Sequence, residues 1–406
     1  MTDERTDFCV VGGGPAGLTL ALLLARSGAK VTVVERSTSL EREYRGEILQ
    51  PGGQALLAGL GVLDGARARG CHEHDRFLLE EHGRVLINGD YRRLPGPYNC
   101  LLSIPQRHLL AELLDHCHRE NRFSYLGGAK VTGLVRDGST IHGVVARTRG
   151  GERTVHSHCV VGADGRFSKV RQLAGIENDR RDHFAQDVLW FRLRSLGDAP
   201  RDVRIFRAGG NPLLAYASVP DRIQLGWTLP HNGYRELAAH GLGYVKDRLR
   251  AAVPRYADQI DAEITGFKDL SLLDVFTAKA QQWVLDGLLL IGDSAHTQGP
   301  IGAQGINLAI QDAVAAHPVL LASLRANDAS AGFLRRYADN RRRDIETMTK
   351  IQRVQSKTMF STGTVAAAVR PKLAMLVSRT PVYRAVLRQI AFGNRGIQLR
   401  ADLLSH

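Results

Sequence analysis

The chain has 406 residues, 44% hydrophobic and 23% charged, a composition that excludes disorder and collagen-like structure and suits two domains or one elaborated domain. Its longest apolar runs, Leu20 to Ala25 and Leu288 to Ile291, fall far below the ~18 residues of a membrane span, and no basic and apolar leader opens the sequence, so no secretory signal is expected. The net charge is +13, the cysteines number five with no C-x-x-C pair, and no zinc-finger, aromatic-basic or helix-turn-helix pattern occurs; a reduced cytoplasm is expected, while a disulfide scaffold, a metal site and nucleic acid are not.

Thr6 to Val11 is a short strand pattern, Pro15 to Ser27 an Ala/Leu-rich helix and Lys30 to Val34 a second apolar strand. This is a β-turn-α-β unit. Its turn reads Gly12-Gly13-Gly14-Pro15-Ala16-Gly17, a G-x-G-x-x-G at Gly12, Gly14 and Gly17. Gly12 permits the tight turn, Gly14 lets backbone approach a pyrophosphate, and Gly17 lets the helix pack close to the sheet. The helix start offers unpaired N–H groups and a positive dipole end to phosphate. Glu35, 18 residues beyond Gly17, would accept hydrogen bonds from a ribose diol. No second such motif follows a later strand, so one dinucleotide, FAD or NAD, is expected.

Gln106 to His118 is again helical, and Val131 to Val145 and Val155 to Val161 alternate as strands. A further strand runs into Asp164-Gly165 and then toward a helix through Ser168 and Arg171. From Val188 to Leu229 short alternating runs separated by turn residues predict an antiparallel sheet. Trp190, Tyr216 and Trp227 lie on those runs and are candidates for a substrate wall. Leu288 to Ile291 predicts a buried strand ending in Gly292-Asp293, where a carboxylate can accept from a ribityl hydroxyl. The glycine-rich stretch Pro300-Ile-Gly302-Ala-Gln304-Gly305-Ile306-Asn307 could offer N–H groups to an isoalloxazine carbonyl or a phosphate. It leads into a helix over Gln304 to Leu324. From Arg335 onward 15 Lys or Arg face 4 Asp or Glu, leaving 39 against 37 in the rest. The positive charge therefore belongs to a helical tail punctuated by Pro371 and Pro381.

These three motifs, in this order, resemble the para-hydroxybenzoate hydroxylase-like family of FAD-dependent aromatic monooxygenases, over about residues 5 to 345. The resemblance implies an α/β Rossmann-type FAD-binding domain with an inserted antiparallel-sheet substrate domain and a helical C-terminus. It divides the chain into an FAD-binding part at 1–70, 98–180 and 271–340, a substrate part at 71–97 and 181–270, and a basic C-terminal region at 341–406. By motif, Gly12, Gly14, Pro15, Ala16, Gly17, Glu35 and Arg36 meet the ADP half. Arg45 contacts flavin phosphate or ribityl, Arg107 opens a helix beside the cofactor, and Val131 lies near the adenine. Asp164 serves both FAD and NAD(P)H. Asp293, Gln304, Gly305, Ile306 and Asn307 hold the ribityl chain and the ring, and Pro300 and Gly302 form the loop where oxygen reacts. The family usually has two prolines after its G-D-x-A-H run. Here Gly299-Pro300 predicts a more mobile loop, and His296 is read as structural.

The activity implied is NADH- or NADPH-driven hydroxylation of an aromatic or polyketide-like small molecule with O2, through a C4a-hydroperoxyflavin. The alternatives on the same fold are a flavin-dependent C=C reductase of an isoprenoid or polyketide and a flavin halogenase. Halogenases usually carry W-x-W-x-I-P, whereas Gly226-Trp227-Thr-Leu-Pro230 has one tryptophan. The tail, with Arg384 and Arg388 on one helical face, is expected to cover the substrate entrance and to dock on an acidic carrier protein or membrane surface.

Overall fold

Phe8 to Val11 is an unbroken apolar run, and all four residues are buried, as a parallel strand covered on both faces requires. A computed structural model describes residues 2–41, 47–81, 83–181, 184, 186–197, 200–208, 211–360 and 372–404. The first strand, Thr2–Val11, pairs in parallel with Val31–Glu35 on one side and Gly151–Gly162 on the other. Phe123–Gly127 and Leu288–Leu290 extend the parallel set outward, and Val284–Leu285 closes one edge antiparallel. With the first strand in the middle, this is Rossmann-type order. Helix Pro15–Arg26 makes the crossover, buried along Ala16 to Ala25, between the sheet and helix Gly305–Ala326. That long helix has the length and apolar content of a membrane span, yet most of it is buried inside the protein.

Two boundaries differ from the sequence reading. The first strand starts at Thr2, because its polar end pairs with Arg153 to Ser157; ladder hydrogen bonds carry it where hydropathy gives no signal. The run read as Val131 to Val145 is two strands, Lys130–Asp137 and Thr140–Thr148. Gly138 turns between them at φ +56°, a conformation that favours glycine.

A second sheet has seven strands in the order Ser271–Leu273, Gln186–Arg194, Arg222–Pro230, Asn211–Ser218, Asp202–Ala208, Arg76–Glu81, Arg84–Asp90. All neighbours are antiparallel except Asp202–Ala208 with Arg76–Glu81. The sheet runs on to Leu273, past the division read at residue 271, because that strand pairs with Val188 to Trp190. One face packs on helices Gly233–Ala239, Leu242–Ala252 and Ala257–Glu263 through Leu189, Phe191, Leu225, Val245 and Leu249. These short helices escaped the sequence reading: the middle one buries only Val245, Leu249 and Ala252, a thin stripe. The other face turns toward the Rossmann part.

Helix Ala331–Phe360 follows, then a helix over 372–378 and helix Pro381–Phe392. Thr380 caps the last one, its hydroxyl accepting from Tyr383 N at 3.2 Å, with Pro381 at the first helical position where no N–H is needed. Ile390 and Ala391 are buried. A Cβ on Gly52 would stand 2.6 Å from Phe392 O, so helix Pro51–Gly59 meets this helix end at backbone distance.

Candidate active site

Val11 pairs with Gly162, and Gly162 with Leu290. The turns that follow these three strands therefore share one end of the sheet, where ligands bind in open α/β folds. One cavity of about 410 Å³ runs from there to the second sheet. Gly12, Gly14, Pro15, Ala16, Glu35, Arg36 and Val131 line one part of it, with Asp164 and Asp293 also on its wall. Pro300, Gln304, Gly305, Ile306, Trp190 and Tyr216 line the rest.

At the helix start, Gly14 is extended, no side chain caps the helix, and no acidic residue lies in the first turn. The free N–H groups and the dipole thus face the cavity with nothing to compete for an anion. Gly12 has φ +110°, and a Cβ there would lie 2.4 Å from Ala163 O. Gly17 does not line the cavity; its Cβ would lie 1.9 Å from Gly12 O, so it keeps helix and turn in contact. Glu35 accepts from Gly13 N at 2.6 Å and from Ser37 N at 2.9 Å. The uncapped helix, the close backbone and the buried carboxylate fit a pyrophosphate with an attached ribose.

Asp164 is engaged by its own turn as well as lying on the cavity wall. Its carboxylate accepts from the Ser168 hydroxyl, Lys169 N at 2.6 Å and Val170 N at 3.0 Å, capping helix Lys169–Leu173. Burial pushes its carboxyl up, against those hydrogen bonds. Arg171 donates to Ser294 O at 2.8 Å and Arg166 O at 3.1 Å. The Ser294 hydroxyl lies within hydrogen-bond distance of both Gly162 O and Ile291 O, to which its one hydrogen can be given. The two Gly/Asp turns are thereby tied together.

Behind the second turn lies a buried charge cluster. Asp312 accepts from Gly292 N at 2.8 Å and Arg341 Nε at 2.8 Å, and the oxygen that takes Gly292 N also meets His296 Nε2 at 2.6 Å. Burial alone would raise Asp312, but the charges of His296 and Arg341 pull it down to about 2. His296 holds this carboxylate, which matches its structural reading.

The loop at 299–304 is pinned rather than mobile. Gln352 donates to Gly299 O at 3.0 Å and Ile301 O at 2.7 Å, and Gln50 to Gly302 O at 2.8 Å. Gln304 donates to Gly302 O at 2.8 Å and Ile390 O at 2.9 Å, and Asn307 to Ala303 O at 2.8 Å. Gly302 and Asn307 stand behind the cavity wall, Asn307 also accepting from Gln50 N at 2.9 Å. The side-chain amides of Gln50 and Gln352 carry no periodic signal, so sequence reasoning missed them.

Of the three aromatic candidates, Trp190 and Tyr216 face the cavity and Trp227 does not. Trp190 stands opposite Gly226, where a Cβ would come 2.6 Å from its ring. One residue on, Trp227 points to the other face and packs with the helices there; alternation along a strand allows no other outcome. Near Tyr216, the buried Glu47 pairs with Arg192 and accepts from Ser218 at 3.1 Å, and Arg192 also donates to Gln224 at 2.6 Å. Burial, then the charge of Glu47, pushes the Tyr216 hydroxyl well above its ordinary value, so it stays a neutral phenol. Arg107 pairs with Glu41 at 3.6 Å off the cavity, and its neighbour Gln106 lines the wall instead. Arg45 lies outside the described residues.

A bare helix start, an acidic strand end and a Gly/Asp turn share one sheet end, and an aromatic wall adjoins them in the same cavity. Residues 5–352 match the family described as FAD binding domain, and the chain belongs to that family. It is an FAD-dependent monooxygenase with NAD(P)H as reductant. It is 65% identical over 399 residues to 6-methylpretetramide 4-monooxygenase of Streptomyces rimosus, covering 98% of this chain and 95% of that one. The structure of PqsL from P. aeruginosa with 2-aminobenzoylacetate is similar at TM-score 0.77 and 25% identity, over 92% of this chain and 100% of that one. p-Nitrophenol 4-monooxygenase PnpA of Pseudomonas putida DLL-E4 shares the fold at TM-score 0.81 and 19% identity, over 97% and 100%.

Proposed function

We propose that this enzyme hydroxylates a fused-ring aromatic polyketide of the 6-methylpretetramide class. The observation that carries the reading is the single cavity that joins the dinucleotide turns to the wall of Trp190, Leu214, Tyr216, Leu273 and Val275. That wall is apolar and aromatic, which suits a flat polycyclic phenol. The identity of 65% to the S. rimosus enzyme supports the same class.

In this reading Gly12, Gly14, Pro15, Ala16 and the helix start hold the pyrophosphate of FAD, with Gly17 keeping the helix against the turn. Glu35 takes the ribose, Arg36 and Val131 border the adenine, and Asp293 takes the ribityl chain. Pro300, Gln304, Gly305 and Ile306 border the ring, with Gly302 and Asn307 fixing their loop. When bound and reduced, FAD supplies the activation of O2. The protein orients the ring and the substrate and keeps water out. Residues 71–97 and 181–273 form the substrate part, and the rest of 1–340 the cofactor part; strands from both stretches share the second sheet. Exposed Leu373, Leu376, Val377 and Val382 beside Lys372, Arg379 and Arg384 support a docking role for the basic end toward an acidic carrier protein or membrane surface. A cytoplasmic setting suits the five free thiols.

The test is a substrate panel. With NAD(P)H and air, a tetracyclic polyphenolic amide should gain one oxygen atom by mass spectrometry, and single-ring phenols should be poor substrates. Preference for single-ring phenols would reject the assigned class.

A further inference from the structure

Gly299 has no left-handed backbone to explain a glycine. What excludes a side chain there is Phe184, whose ring carbons would lie 2.2, 2.3 and 3.0 Å from a Cβ. Phe184 is 2% exposed. It lies two residues before strand Gln186–Arg194 and packs with Val188, Trp190 and Tyr216 of the second sheet, whereas Gly299 belongs to the loop after the Gly292-Asp293 turn.

Phe184 is itself mounted. Its carbonyl meets His231 Nε2 at 2.6 Å, and His231 Nδ1 meets Asp187 Oδ1 at 2.9 Å. The imidazole thus bridges the Phe184 carbonyl and the Asp187 carboxylate, with one ring nitrogen on each. The same Asp187 oxygen accepts from Val275 N at 3.1 Å. His231 follows strand Arg222–Pro230 and Asp187 lies in its neighbour, so the pair braces two strand ends of the second sheet. From the other side Gln352 holds Gly299 O at 3.0 Å. The loop is gripped between Gln352 and the Phe184 ring, and Gly299, Pro300 and Val275 all line the cavity.

We propose that Phe184, mounted on the His231–Asp187 pair, is the positioning residue for the 299–303 loop, and that through it the second sheet sets how well the oxygen-reacting part of the cleft is closed. The inference rests on the monooxygenase reading of this cavity. In the coupled reaction NAD(P)H, H+, O2 and substrate give hydroxylated product, NAD(P)+ and water. With the loop loosened, NAD(P)H, H+ and O2 give NAD(P)+ and hydrogen peroxide, and the substrate is unchanged. Phe184 governs the division between these two outcomes.

The test is a double-mutant cycle of Gly299→Ala and Phe184→Ala in the holoenzyme. A tetracyclic polyphenolic amide serves as substrate. The readouts are peroxide formed per NAD(P)H consumed, the visible circular dichroism of bound FAD, and hydrogen exchange of peptides covering 299–303. Each single substitution should speed loop exchange about tenfold and raise the peroxide share about threefold. The double variant should return both to within about twofold of the parent, because the methyl added at position 299 enters the space the ring leaves. His231→Asn and the milder Phe184→Leu should shift both readouts the same way, so the inference stays testable if Phe184→Ala does not fold. Additive effects in the double variant, or loop exchange unchanged by every substitution, would overturn it. Exchange and dichroism need no turnover: if the parent forms no hydroxylated product, the functional reading fails while the cycle still reports on the strut.

Discussion

Glu35 uses both carboxylate oxygens, one on Gly13 N and one on Ser37 N. Substitution by alanine takes this acceptor from the buried Gly13 N and the half-buried Ser37 N and removes the assigned ribose partner. Each loss is worth about 1–3 kcal/mol, so Glu35→Ala should weaken FAD binding by at least about tenfold, read by titration of flavin fluorescence. At this scale the sequence was readable where a residue type answers a covalent need. The close backbone approaches of Gly12 and Gly17 follow from their spacing, and the same motifs bring Gly14, Glu35 and Asp293 to the cavity wall. It was unreadable where a side chain serves another loop. Gln50 and Gln352 sit far in sequence from the carbonyls they hold, and Arg171 only becomes a bridge once two strand ends lie side by side. Trp227 shows a third case: a tryptophan on a strand is legible as buried, but its face depends on a one-residue register.

The elements behind the site are joined by the Asp312 cluster. Helix Gly305–Ala326 supplies Asp312, helix Ala331–Phe360 supplies Arg341 and Asp344, and Asn394, beyond the last helix, donates to both oxygens of Asp344 at 3.0 and 2.9 Å. Arg341 and Asp312 are 0% exposed. Removing the cation strands a buried carboxylate, so Arg341→Met should cost about 3–5 kcal/mol, seen as a lower melting temperature together with loss of flavin, because Asp312 also holds Gly292 N. Asn394→Ala should change the melt little, since it removes hydrogen bonds to one carboxylate near the chain end. The inner parallel strands and the helix Gly305–Ala326 were legible from apolar pattern and length, whereas the parallel strand Phe123–Gly127, none of whose residues is fully buried, and the bounds of helix Ala331–Phe360 were not. The three short helices between 233 and 263 were not, since each buries too few residues to show a face, and the turn at Gly138 was passed over because apolar alternation continues on both sides of it.

Across the whole molecule, acid should unfold the protein in two stages. Burial first, then the charge of His72, lowers His74 to about 4, and burial, then Arg400 and Arg325, lowers His317 to about 4. An unfolded histidine titrates near 6.5. Between about 6.5 and 4 the unfolded chain therefore takes up protons that the folded chain refuses, and stability falls as pH drops, on the order of 3 kcal/mol per histidine. Asp312 acts lower: its contribution is complete above about 4 and is lost as pH falls toward 2. Melting temperature against pH should decline from pH 7 to 4.5, and His317→Gln should make that slope shallower. The central claim, that this chain inserts oxygen into an aromatic polyketide, is tested most directly with 18O2. With a tetracyclic polyphenolic amide and NAD(P)H, the product should carry one 18O atom for each NAD(P)H consumed in coupled turnover. A product that gains two hydrogens and no label, formed equally well without oxygen, would contradict it and identify a reductase.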